Sequence, residues 1–243
     1  MTRTDHMPGA GIAARVDWRQ LVLVATMLAA AQRVGAQDPS APTAAEAVEV
    51  GQGRVVVIER EVEGAPWPRV RLYRFIDATP EQSAAMFADY EHQRDYNADL
   101  KEVVVQRRLD SARAEVSYRY ASGIAFVSDV TYTVLDRISR DSTGSYLVDW
   151  RLLSGSKVKH TEGSARFAPW TNPVSGQRGT LLTYDNYVVP DFRFASLGVV
   201  RAKAIGAMRR AVDAIAVEVF RERTADSTRL ERQVAALRAT LPH

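Results

Sequence analysis

The chain has 243 residues, 46% of them hydrophobic, enough for one well-formed core and more consistent with one domain than with two. It contains no cysteine, which excludes a disulfide scaffold, a thiolate metal site and a thiol nucleophile, and its four histidines fall in no HExxH or comparable ligand spacing. The formal net charge is +3, and no GxxxxGKS/T or GxGxxG phosphate loop is present, so neither a cofactor nor a metal is expected.

Arg15 and Arg19 precede the apolar run LVLVATMLAAA (Leu21–Ala31), and QRVGAQDPS follows it. A basic flank, an apolar stretch of 11 residues and the small residues Val34–Gly35–Ala36 read as a secretory signal peptide over residues 1–36. The run is shorter than the roughly 20 apolar residues of a membrane-spanning helix. An uncleaved anchor and a buried helix are the alternatives. Removing residues 1–36 takes away four arginines and two aspartates, lowering the net charge from +3 to +1. That is no electrostatic footprint for nucleic acid. The expectation is an exported, periplasmic protein.

Residues 37–53, rich in Ala, Pro and small polar residues, read as a flexible linker. The folded domain is expected over residues 54–223. RVVVIER (Arg54–Arg60) is a β-branched strand, and RVRLYRFID (Arg69–Asp77) alternates with period two, the mark of a strand with one wet face. Thr79, Pro80 and Gln82 form a helix start with a capping box. That helix runs to about Asp89, and a second short helix lies in EHQRDYNADL. From Lys101 a meander of antiparallel strands continues to VVP (Val188–Pro190), separated by turn signals. A long helix, Ser196–Arg223, carries Leu197, Val200, Ala204, Met208, Ala211, Ile215 and Val219 on one stripe. Residues 224–243 read as a short amphipathic tail, with Leu230, Val234, Leu237 and Leu241 at helical spacing. The tail is expected to be dispensable for folding and to dock, pair with another chain or touch a membrane transiently. The fold class is α+β: a curved antiparallel sheet gripping a long C-terminal helix, with two short helices after the second strand.

MFADYEHQRDYNADLKEVVVQRR and HTEGSARFAP resemble segments of the START-like helix-grip superfamily, the "polyketide cyclase/dehydrase and lipid transport" proteins. The nearest branch by resemblance is the coenzyme-Q-binding START type. HTEGSARFAP is similar to that branch's Leu-Glu-Gly-x-Trp-x-Phe-x-Pro strand, keeping Glu162, Gly163, Phe167 and Pro169, with Ala165 in place of the Trp. Tyr96–Asn97–Ala98–Asp99 stands where Tyr-Pro-x-Phe is usual. The resemblance spans Arg54 to Arg223 and implies a cavity between sheet and helix that takes a hydrophobic ligand.

Two regions compete as a functional site. His160 and Glu162 fall on the strand face that also carries Asp149, Arg151, Ser164 and Arg166. A two-residue loop at Gly155–Ser156 places Arg151 opposite His160. The alternation reads as a solvated charge cluster rather than a catalytic pair. The opposite face is aromatic and apolar: Tyr118, Tyr120, Tyr132, Trp150, Phe167 and Tyr184, beneath Ala204, Met208 and Ile215 of the long helix. These residues either fill a core or line a cavity. The small Ala202, Ala204, Gly206 and Ala207 favour the cavity. Asn186 joins the lining if its strand keeps Leu182 and Tyr184 inward. Phe192 and Phe194 are candidates for an apolar lip or for a staple of the helix. The functional expectation is a binding or transport protein for a lipid, isoprenoid or quinone; a polyketide cyclase or aromatase using the same cavity is the alternative.

Overall fold

Why the N-terminal stretch folds at all is a matter of capping. In the computed structural model, which describes residues 41–65, 67–121, 129–191, 197–225 and 227–241, helix α1 spans Ala44–Gly51. The Thr43 side chain accepts from the Glu46 amide, and the Glu46 carboxylate accepts from the Thr43 amide at 2.7 Å. Val50 is fully buried against Tyr73, Phe75 and Leu181. The expected linker 37–53 therefore contains a helix, because a capping box and one buried valine outweigh a small-residue composition. The signal segment and the lip residues Phe192 and Phe194 lie outside the described residues. The chain divides into two units, Met1–Ala41 and Pro42–His243, and only the second is described below.

The strands are β1 (Val56–Arg60), β2 (Arg69–Ile76), β3 (Leu100–Arg108), β4 (Arg113–Tyr120), β5 (Val130–Arg140), β6 (Tyr146–Ser156), β7 (Val158–Thr171) and β8 (Arg178–Pro190). They form one antiparallel sheet in the order β1-β2-β8-β7-β6-β5-β4-β3. The chain leaves β2 through α2 (Pro80–Phe87), a single 3-10 turn (Tyr90–His92) and α3 (Gln93–Tyr96). It re-enters at the far edge and meanders back until β8 pairs with β2. Thr79 and Gln82 cap α2 reciprocally, with Pro80 at its first turn.

Helix α4 (Leu197–Thr224) lies over the inner face of the sheet. Val212, Ile215, Ala216 and Val219 bury against Leu72, Ile76 and Leu182, and Arg74 of β2 donates to Asp213 at 2.9 Å. Helix α5 (Thr228–Thr240) then packs on α2, with Leu230 and Leu237 both 5% exposed within the main core. Arg229 reaches Asp89 and Glu218, each at 2.9 Å, and Arg238 is forked onto Glu81. The expected tail 224–243 is thus an integral layer of the domain. Its four apolar positions find a ready groove, and the largely shielded Arg229 fastens it to two buried carboxylates. Among the described residues, no helix is long and apolar enough to cross a membrane.

The β6–β7 register differs from the expected one by two residues. Arg151 stands opposite Glu162, because the turn falls at Lys157, whose φ is 64°. A shift of two preserves the faces.

Candidate functional site: a two-chamber cavity

Alternation sends the odd and even residues of each strand to opposite faces, and the faces differ sharply in chemistry. On the outer face, Glu162 accepts from Arg69 at 2.6 Å and lies 3.4 Å from His160, while Asp185 takes both Arg69 and Arg71. His160 and Glu162 are nearly half exposed in this ion network. Both side chains stand open to solvent, and Glu162 is held by Arg69 of β2. Among the described residues, no three His, Asp or Glu side chains converge as a metal cage.

The inner face and α4 enclose a cavity of 640 Å³. Its roof is the small-residue run of α4: Ala202, Ala204, Gly206, Ala207 and Ala211, with Met208 between. Its floor and walls include Tyr120, Tyr132, Tyr184 and Asn186 from the sheet and Trp67 from the β1–β2 loop. Lys157, Lys203, Arg210 and Asp99 also line this chamber. Arg210 is forked onto Asp99 at 2.8 and 3.0 Å, which ties α4 to the short-helix exit Tyr96–Asp99.

A second chamber of 80 Å³ adjoins the first and shares Tyr120, Tyr132, Tyr184, Asn186 and Ala211 with it. Every residue lining it is buried or half-buried. Tyr118, Trp150 and Ile215 belong to this inner chamber, together with Asp136, Tyr96, Asn97 and Thr161. The structure therefore gathers Tyr118, Tyr120, Tyr132, Trp150, Tyr184, Asn186, Ala204, Met208 and Ile215 around one cavity. Phe167 is the exception. It is fully buried and packs on Phe87 with ring centroids 5.4 Å apart, so it belongs to the core and not to the lining. Helix α2 covers its end of the strand.

The aromatic lining is ordered by contact. Tyr118, Tyr120 and Tyr132 form a triangle with centroids 5.7 to 6.2 Å apart, and Trp150 lies 5.2 Å from Tyr184. The indole of Trp150 covers Gly163, where an added Cβ would stand 2.5 Å from the ring. This indole, reaching over from β6, occupies space above β7 beside Ala165, the position where the resembling strand carries a Trp. Burial pushes the Tyr120 hydroxyl up to about 12 and those of Tyr118, Tyr132 and Tyr184 well above the ordinary value. All four remain neutral hydrogen-bonding groups at physiological pH.

Of the polar lining residues that the sequence reading did not place in the site, Asp136, Trp67 and Asn97 are the most informative. Asp136 is 4% exposed and accepts from Tyr118 at 3.4 Å, and the Tyr90 hydroxyl also bonds to it. Burial pushes its carboxyl up to about 7, against the pull of those two hydrogen bonds. The signal was present, since Asp136 continues the inward series Val130, Tyr132, Val134. Trp67 is 1% exposed, and its indole N–H finds no partner. It sits between two prolines in the sequence, where no periodicity marks it. Asn97 stands in the exit segment and lines the inner chamber. Asn186 does face inward with Leu182 and Tyr184. Its Nδ2 donates to Met208 Sδ at 3.8 Å, and its Oδ1 is buried without a partner.

No family model matches the sequence, and no curated protein matches it. Solved structures do match in three dimensions. A STAR-related lipid transfer protein from Xanthomonas axonopodis superposes with a TM-score of 0.58 at 14% identity, covering 68% of this chain and 93% of that one. Human StAR-related lipid transfer protein 5 gives 0.57 at 12% identity, over 84% of this chain and 97% of that one. The lipid transfer and protein localization domain of human StarD13 gives 0.53 at 16% identity, over 69% and 84%. The chain has the START-like helix-grip fold.

Proposed function

We propose that this protein binds a hydrophobic small molecule, a lipid, isoprenoid or quinone, in the cavity between the sheet and α4, and that it does so after export. The observation that carries this is the 640 Å³ cavity between an aromatic sheet face and a roof of alanines and glycine. Burying an apolar tail there contributes about 0.8 kcal/mol per methylene, enough for affinity without any charged contact. The fold neighbours described as lipid transfer proteins support the same reading. Export rests on the N-terminal pattern of residues 1–36.

A second reading, an enzyme of the cyclase or aromatase type, is favoured by Asp136. A buried carboxyl that titrates near 7 between two tyrosines has the properties of a general acid or base. Titration of the purified protein with a fluorescent acyl probe, followed by incubation with polyketide chains, separates the two. Saturable one-site binding with polyketides recovered unchanged supports a carrier, cyclised product supports the enzyme, and no saturable binding contradicts both.

A further inference from the structure

The inner chamber is too small for an apolar tail, and it differs from the outer one in holding Asp136 and no Lys or Arg. Its 80 Å³ holds the space of about two to three water molecules. Asp136, Trp150, Gly163 and Asn186 stand in one cross-strand row, with Asp136 paired to Trp150, Trp150 to Gly163 and Gly163 to Asn186. The indole lying over Gly163 forms a flat apolar floor, with an oxygen acceptor at either end of the row. One acceptor is the Asp136 carboxyl, which no cation pairs with among the described residues. The other is Asn186 Oδ1, buried and without a partner while its Nδ2 is turned to Met208. The cationic side chains lining the cavity, Lys157, Lys203 and Arg210, belong to the outer chamber.

We infer that the inner chamber is an alcohol subsite: the ligand enters hydroxyl first, hydrogen-bonds Asp136 over the Trp150 floor, and leaves its apolar remainder in the outer chamber. This rests on the cavity-binding reading above and narrows it to a hydroxyl-bearing lipid or isoprenoid. The chemistry of the head group decides the class. A hydroxyl donates to an ionised Asp136 or to Asn186 Oδ1, and accepts from a protonated Asp136, so it suits the chamber in either state. A carbonyl satisfies only the protonated acid. A carboxylate finds no Lys or Arg in the lining of the inner chamber, and burying an unpaired charge is costly. An ammonium would have to leave water to form a fully buried ion pair, whose desolvation offsets its attraction.

The test is competition against a bound fluorescent acyl probe by three ligands with one chain length: 1-hexadecanol, hexadecanoate and hexadecylamine, at neutral pH. The wild type should bind the alcohol at least tenfold more tightly than either charged analogue. Asp136→Asn, which keeps a donor and an acceptor in place, should retain the alcohol, and Asp136→Leu should lose the tenfold preference. The ranking in the wild type decides the matter even if Asp136→Leu fails to fold. Equal or tighter binding of the carboxylate or amine would overturn the alcohol subsite while leaving the cavity reading intact. Failure of all three to compete, with no saturable probe binding, would overturn the cavity reading and the subsite with it.

Discussion

Asp136 differs from the other buried carboxylates in having no arginine. Asp89 and Glu218 are both held by Arg229, whereas Asp136 has only two phenols. Its pKa rises from the ordinary 3.8 to about 7 on folding, so the folded state holds the proton more tightly than the unfolded one. The contribution of this group to stability is therefore full below about pH 4 and is lost as pH rises through about 7. At 1.36 kcal/mol per pKa unit the loss amounts to a few kcal/mol. Asp136→Asn does not titrate. Its stability relative to wild type, measured by urea unfolding across pH 4 to 8, should rise by about that amount with increasing pH. A difference that stays flat would show that Asp136 is solvated like a surface carboxylate. At this scale the sequence was legible by face but not by role. Strand alternation placed His160 and Glu162 outside and Tyr118 and Tyr132 inside, and the same alternation held the place of Asp136. A charged residue in an apolar series is easily set aside when no partner is visible along the chain.

Among the elements, the strands, the capped α2 and the long α4 were legible because each carries a local signal: period-two alternation, a capping box, or a three/four stripe. Helix α1 carried one too, Thr43 with Glu46 three residues on, hidden within an alanine-rich stretch. Helix α5 was legible as a helix and not as part of the core, since the groove that receives it is assembled from α2 and the end of α4. That groove changes the expectation for the C-terminal segment. Leu237 is 5% exposed, and Arg229 is committed to two buried carboxylates. Leu237→Ala should cost about 2–5 kcal/mol, as truncation of a buried leucine does. Removing residues 225–243 should lower the melting temperature further, because buried Asp89 would lose its guanidinium and Glu218 would keep only that of Arg221. A truncated protein that melts as the full chain does would return α5 to the role of a detachable tail.

For the whole molecule, the curved sheet with its gripping helix followed from element order, but the cavity did not. A stripe of alanines and glycine facing tyrosines is compatible with a tight core or with open space, and only the distance between α4 and the sheet distinguishes them. Side-chain pairs tie α4 across that space: Arg201 on Glu59 of β1, Arg74 on Asp213, Arg210 on Asp99 and Arg223 on Asp77. Arg201 stands at the start of the small-residue run, and Arg210, Asp213 and Arg223 stand at or beyond its end. Their partners are far apart in sequence, so no local pattern announced them. Ala204→Phe probes the space directly, since it adds a ring to the roof of the outer chamber. In a packed core the change would cost roughly 1–3 kcal/mol. The decisive measurement is mass spectrometry of a solvent extract of the purified wild-type protein and of Ala204→Phe, with melting temperatures recorded alongside. A hydrophobic cavity protein should yield a near-stoichiometric apolar molecule from the wild type and little from Ala204→Phe, at an unchanged or raised melting temperature. No extractable molecule from the wild type, together with a clear fall in melting temperature for Ala204→Phe, would contradict it.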